Sequence, residues 1–168
     1  MTGPTPAPQQ TEDPVDPDVD VRTASQRRER RHLRQTLAVI SLGGMVGASG
    51  RYALELLLPH TSAELPWATF VTNASGSFLL GALMVLVVDR GPAHPLLRPF
   101  LGVGVLGGFT TFSSYTVQVD GLLVAGEPGL ALAYLAGTLV AALVGVTLGV
   151  LVTRGAFALR GRLAERSR

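Results

Sequence analysis

The chain has 168 residues, of which 47% are hydrophobic and 15% are charged, and its mean hydropathy is +0.36. It contains no cysteine, which excludes disulfide frameworks and thiolate metal sites, and all of its basic residues apart from three histidines are arginine. This composition is typical of a membrane protein and argues against a soluble enzyme.

The N-terminal segment, residues 1–34, differs from the rest in composition. Residues 1–20 hold five prolines and five acidic residues, and such a segment cannot bury enough apolar surface to order itself. Residues 22–34 carry six arginines, which we interpret as a solvated run beside the membrane; nucleic-acid or lipid binding is the alternative. The first apolar run begins late and is of full length, so no cleavable signal peptide is expected.

Four apolar windows follow, each long enough to cross a bilayer: about 37–58, 67–88, 96–124 and 130–152. Proline, glycine and charged residues separate them, as expected of turns. The pattern predicts an all-α membrane protein with one four-helix membrane domain over residues 35–153 and a basic tail over residues 154–168.

The third window contains an unusual set of residues, Gly107-Gly108-Phe109-Thr110-Thr111-Phe112-Ser113-Ser114-Tyr115. Two glycines and four hydroxyls predict that this helix is broken near Gly107–Thr111. Non-helical backbone at membrane depth is tolerated only where protein or water covers it, and small ions are the usual reason for such an arrangement.

Polar residues also lie inside the other spans. Arg51 is either an interfacial arginine that extends to the membrane surface or a positive residue at an anion entrance, and the sequence leaves both open. Asn73 either joins two helices or donates to an anion, because its amide needs a hydrogen-bond partner in the membrane. Tyr134 and Thr138 are one turn apart on one helix face.

The distribution of arginine predicts the orientation. Thirteen of the 14 arginines lie in the two terminal segments or around the junction of the second and third windows, and the two opposite loops hold none. By the positive-inside rule, both termini are predicted to be cytoplasmic.

Three motifs together resemble the Fluc (CrcB) family of bacterial fluoride channels. They are Gly43-Gly44-Met45-Val46-Gly47-Ala48-Ser49-Gly50-Arg51-Tyr52, Thr72-Asn73-Ala74-Ser75-Gly76-Ser77-Phe78 and the set in the third window. The resemblance covers about residues 37–152. It implies a four-helix subunit in an antiparallel dimer, two fluoride pores, and a structural, non-transported Na⁺ at the dimer centre.

The resemblance also implies roles for individual residues. Those expected to line the pore or bind fluoride are Asn73, Phe112, Tyr115, Ser113, Ser114, Thr138, Tyr134 and Arg51. The backbone carbonyls of Gly107 and Thr110 are expected to hold the sodium ion. Two positions depart from the family's commoner residues: Tyr115 stands in place of a phenylalanine, and Gln118 in place of a glutamate.

The expected function is fluoride export down its gradient through a bacterial cell membrane, with no enzymatic activity and no nucleic-acid partner. A proton-coupled exporter and a non-transporting scaffold subunit are the alternatives. The former needs a carboxylate at mid-membrane, and the latter leaves Asn73 unexplained. Because the arginine bias fixes one orientation, the dimer partner is expected to be an oppositely oriented paralogue, with two-sided insertion of this chain as the second possibility.

Overall fold

The computed structural model describes residues 24–90 and 94–166, and within these ranges all regular structure is helical. Four helical stretches are long and apolar enough to cross a membrane: Arg27–Leu57, Trp67–Val87, Pro99–Val124 and Pro128–Arg160. The predicted all-α fold with four spans is therefore confirmed.

The chain divides into two units, residues 1–34 and 35–168. In the first, residues 24–34 are helical and their described side chains are exposed. The predicted disorder of residues 1–20 lies outside the described residues. Helix α1, Ala24–Leu57, therefore begins well before the apolar window at about residue 37. Arginine, glutamate and glutamine are good helix formers, and no proline or glycine interrupts residues 24–42, so the helix continues into the polar run.

In the second unit, α1 leads through a short loop to α2, Trp67–Arg90. Within this loop the Glu64 carboxylate accepts the backbone N–H of Thr61 at 3.0 Å, which closes a turn before the second span.

The third span is assembled from several helical pieces. It begins with a π-helical segment, Pro99–Leu106, continues into a short α3, Gly107–Phe109, and resumes after a break with α4, Ser113–Val124. Glycines on α1 allow its backbone to lie against this span: a Cβ at Gly43 would be 2.5 Å from the Phe100 carbonyl oxygen, and one at Gly47 would clash with the Val105 carbonyl.

A turn at Gly126, whose φ of +81° favours glycine, leads to α5, Pro128–Arg166. This helix continues past residue 153, so most of the predicted basic tail is helical. It packs on α2 through glycines as well, since a Cβ at Gly145 would lie 2.7 Å from the Ala74 carbonyl oxygen and one at Gly149 would clash with that of Phe78. The core of this unit is formed by Leu122, Ala131 and Tyr134.

Candidate functional site

The break in the third span is the centre of the candidate site. The α-helical backbone ends at Phe109, Thr110 is extended with φ −81° and ψ 156°, and the helix resumes at Ser113. The predicted break near Gly107–Thr111 is confirmed, although Gly107 and Gly108 are themselves helical. The second glycine serves packing instead: a Cβ on Gly108 would be 2.5 Å from the Gly44 carbonyl oxygen of α1.

The side-chain amide of Asn73 on α2 makes two hydrogen bonds to the backbone of the break. Its Nδ2 donates to the Thr111 carbonyl at 2.9 Å, and the Thr111 N–H donates to its Oδ1 at 2.8 Å. A backbone without helical bonds thus finds its partners in one side chain, which is the condition for such a break at membrane depth. The second N–H of the Asn73 amide donates to no atom among the described residues.

The break also changes the partners of two carbonyls. In an α-helix the N–H of residue i donates to the carbonyl of residue i−4. The Thr111 N–H, which would serve Gly107, donates to Asn73, and the Ser114 N–H, which would serve Thr110, donates to the Thr111 hydroxyl at 3.1 Å. The carbonyls of Gly107 and Thr110 therefore lose their regular helical donors.

A groove of about 620 Å³ runs past the break and is bordered by α2, the third span and α5. Its lining is mostly apolar, with a few hydroxyl and amide groups. The groove brings together six of the residues singled out from the sequence: Asn73, Gly107, Thr110, Phe112, Tyr115 and Thr138.

Two of these groove residues offer groups that could contact a ligand. The Phe112 side chain is 80% exposed, so its ring is available to a ligand or to a second chain. Thr138 is only 5% exposed, yet its hydroxyl has no hydrogen-bond partner among the described residues. A buried hydroxyl without a partner is uncommon, and this one belongs to a residue that lines the groove.

Aromatic rings extend from the groove into the core. The ring centroids of Phe112 and Tyr115 are 5.8 Å apart, and those of Tyr115 and Tyr134 are 5.3 Å apart. Tyr115 donates its hydroxyl to the Leu135 carbonyl at 2.7 Å, and Tyr134, which is buried, donates to the Gln118 side-chain oxygen at 2.8 Å. Tyr134 is thus not part of the groove, and its polar end points to Gln118.

The remaining three predicted residues lie around a second cavity, which we call the side pocket. Ser113 and Ser114 line it, together with Glu55, Pro59, His60, Val117 and Gln118. Arg51 adjoins the side pocket, because its Nη1 donates to Ser114 Oγ at 3.3 Å, and its Nε donates to the Gly108 carbonyl at 3.4 Å. Apart from Tyr134, which lies in the core, the predicted site residues therefore form two groups, one in the groove and one at the side pocket.

Comparison with known proteins identifies the family. The family model described as CrcB-like protein, Camphor Resistance (CrcB), matches residues 38–150. The chain belongs to the CrcB family. This match spans all four predicted membrane windows and leaves out both terminal segments, as the resemblance in the three motifs indicated.

Individual CrcB relatives are similar over most of their length. The chain is 49% identical over 125 residues to fluoride-specific ion channel FluC 2 of Streptomyces avermitilis, which covers 74% of this chain and 79% of the relative. It is 52% identical over 120 residues to FluC 2 of Nocardia farcinica, covering 71% and 86%, respectively. A third relative, FluC 3 of S. avermitilis, is 44% identical over 138 residues, covering 82% of this chain and 68% of the relative.

Two contributors to the CrcB site were not singled out from the sequence. The backbone of Thr111 is the partner of Asn73, although the two are 38 residues apart and no local pattern signals the pairing. Glu55 is the partner of Arg51, with 3.3 Å between Arg51 Nη1 and Glu55 Oε1. Here the sequence did contain a signal, since opposite charges four residues apart face each other on a helix.

Proposed function

We propose that this chain is the subunit of a fluoride channel that lets fluoride leave the bacterial cytoplasm down its gradient. The observation that carries the proposal is the groove at the break, where a mostly apolar wall presents a few hydrogen-bond donors. The relatives are named as fluoride-specific ion channels, which supports a channel and gives no support to an enzyme.

The donors suit a small, strongly hydrated anion. Fluoride must exchange its water for hydrogen bonds, and the free N–H of Asn73 and the unpartnered hydroxyl of Thr138 can supply them. The positive edge of the exposed Phe112 ring is a further contact for an anion. No cationic side chain lines the groove among the described residues, and this favours conduction, because an anion bound to a fixed charge leaves slowly.

We propose the side pocket as the continuation of this path. Ser113 and Ser114 offer further hydroxyls, and Arg51 beside them provides a positive charge that attracts anions to this end of the path. The Tyr134–Gln118 hydrogen bond would hold the wall of this pocket in place.

The proton-coupled alternative has no support in the described spans. Glu55 lies two residues before the end of α1, and Asp120 lies four residues before the end of α4, so neither carboxylate is at the middle of a span.

The test is fluoride efflux from liposomes loaded with potassium fluoride and followed with a fluoride electrode. A channel moves net charge and no protons, so efflux should begin only when valinomycin lets potassium follow, and the internal pH should not change with it. A proton-coupled exporter should instead change the internal pH in proportion to the fluoride released. Efflux that does not depend on valinomycin, or no efflux from a folded assembly, would contradict the proposal.

We propose further that the groove is completed by a second, antiparallel subunit. Large apolar side chains that line it are exposed, among them Phe112, Leu135 and Leu139, and they need a protein or lipid cover. The arginine bias favours a paralogue of opposite orientation, and S. avermitilis, for example, has both a FluC 2 and a FluC 3.

Orientation can be tested with C-terminal reporter fusions, one active only in the cytoplasm and one active only outside. With both termini inside, the first alone should give a signal. Comparable signals from both would show dual insertion and a self-sufficient homodimer.

A structural sodium ion fits the carbonyls that the break leaves without helical donors. Those of Gly107 and Thr110 would hold it, since a hard cation prefers oxygen ligands and a second subunit would provide two more. The ion would add positive potential near the pores. Replacing sodium by a bulky organic cation should then lower dimer stability, measured by gel filtration, and equal stability in both buffers would contradict the site.

A further inference from the structure

The guanidinium of Arg51 is held by three partners from two spans. Its Nε donates to the Gly108 carbonyl at 3.4 Å, while a single nitrogen, Nη1, lies 3.3 Å from both Ser114 Oγ and Glu55 Oε1. The carboxylate of Glu55 therefore lies beside the one arginine nitrogen that faces the serine of the side pocket.

This arrangement has an electrostatic consequence for any anion that reaches Ser114. The positive charge of Arg51 attracts the anion, and the negative charge of Glu55, whose Oε1 lies 3.3 Å from the same Arg51 nitrogen, repels it. The two side chains are 26% and 34% exposed, so water screens their charges only in part. The net attraction is therefore far weaker than that of an unpaired arginine.

Glu55 is the sole carboxylate among the described residues that line the side pocket, and His60 is the only other titratable residue there. The next carboxylate along the chain, Glu64, is exposed and accepts the Thr61 N–H. Glu55 alone is thus placed to offset Arg51 at Ser114.

We propose that Glu55 is a positioning residue that sets the fluoride affinity of the pore mouth at the side pocket by offsetting the charge of Arg51. The inference rests on the proposed fluoride channel and goes beyond it, because it assigns a role to a carboxylate on an anion path. The carboxylate keeps this mouth from holding fluoride too long, since conduction requires sites that release the ion.

The test measures liposome fluoride flux against fluoride concentration for the complete channel. Glu55→Gln keeps an oxygen that can accept from Arg51 but removes the charge, and it should lower the half-saturating fluoride concentration by about fivefold. Glu55→Asp keeps the charge and should stay near the wild-type value. Glu64→Gln, which removes the same charge from the neighbouring loop, is the matched control and should have little effect.

The coupling to Arg51 is tested in an Arg51→Gln background. With no guanidinium to offset, Glu55→Gln should change the half-saturating concentration less than twofold. A full fivefold change in that background would show that Glu55 acts through some other group and would overturn the inference.

A purely structural role gives a different result. Glu55→Gln would then behave as wild type while Glu55→Ala, which removes the acceptor, would alter flux or gel-filtration behaviour. That outcome, with normal wild-type flux, overturns the role of Glu55 and leaves the channel intact. Absence of valinomycin-dependent flux from folded wild-type protein overturns both.

Discussion

The third and fourth spans reach similar depths in the membrane by different means. The fourth is part of one uninterrupted helix, Pro128–Arg166, whose backbone bonds lie within itself. The third combines a π-helical segment, a short α-helix, a break and a further helix. A continuous span needs only packing from its neighbours, whereas the peptide groups of a broken span also need hydrogen bonds from them. Asn73 and Arg51 supply such bonds to the third span.

Packing itself does not distinguish the two spans. Gly149 lets the fourth span approach α2 as closely as Gly47 lets the third approach α1, since a Cβ at either position would clash with a carbonyl oxygen. The spans differ in whether a substitution at the glycine contact can shift the backbone of the break and so change fluoride flux. This difference can be tested with substitutions at three places.

The largest effect is expected from Asn73→Asp, which removes the hydrogen bond to the Thr111 carbonyl and sets two acceptors against each other. The lost bond costs about 1–3 kcal/mol, and the new negative charge repels fluoride from the groove, so flux should fall at least about a hundredfold. Flux is measured in liposomes and folding by gel filtration. Ser75→Ala is the control, because that hydroxyl bonds only to carbonyls of its own helix. A well-folded Asn73→Asp protein with unchanged flux would refute the pore assignment.

An intermediate effect is expected from alanine at the two glycine contacts. Gly47→Ala and Gly149→Ala should each lower the free energy of unfolding by about 1–3 kcal/mol, measured by thermal unfolding in detergent. Gly47→Ala should also reduce flux per folded protein, because its Cβ would lie 2.8 Å from the Phe109 nitrogen at the edge of the break.

Two other glycines serve as controls for this pair. A Cβ at Gly44 or at Gly137 meets nothing within 4 Å, so alanine there should not destabilise the protein and, as the better helix former, should raise stability by about 0.5–1 kcal/mol. If Gly149→Ala reduced flux per folded protein as much as Gly47→Ala, the proposed difference between the spans would be wrong.

The smallest effect is expected from Thr138→Val, which replaces the unpartnered hydroxyl by a methyl group of similar size. Stability should stay equal or rise slightly, since no hydrogen bond is lost, whereas fluoride flux should fall severalfold because a groove donor is gone. Thr147→Val on the same helix, whose exposed hydroxyl bonds to its own backbone, is the control. Equal flux from the two variants would remove Thr138 from the pore.

The sequence contained enough to predict the spans and the region of the break, and not enough to predict how the break is held. Four apolar windows require four helices in a membrane, and hydroxyls beside a double glycine point to an interruption. The extended residue, however, is Thr110, because Gly108 is used for contact with α1. Which residue becomes extended depends on contacts with neighbouring helices, and a local sequence pattern does not report those contacts.

The π-helical segment and the partners at the site were beyond prediction for related reasons. Residues 99–106 are almost entirely apolar, so side-chain periodicity cannot distinguish a π-helix from an α-helix. The bond between Asn73 and Thr111 joins residues 38 positions apart. The Arg51–Glu55 pair, in contrast, follows from their spacing on one helix and could have been predicted.

The two hydrogen bonds between Asn73 and Thr111 also bear on biosynthesis. A ribosome delivers the second span before the third, so the amide of Asn73 is already in place when the interrupted segment leaves the translocon. The peptide groups of Thr111, which would otherwise resist transfer into hydrocarbon, can thus bond to the Asn73 amide as they enter the membrane. Because the second span precedes the third along the chain, it can supply these hydrogen bonds during insertion. A permuted gene with the reverse order would insert the third span without them.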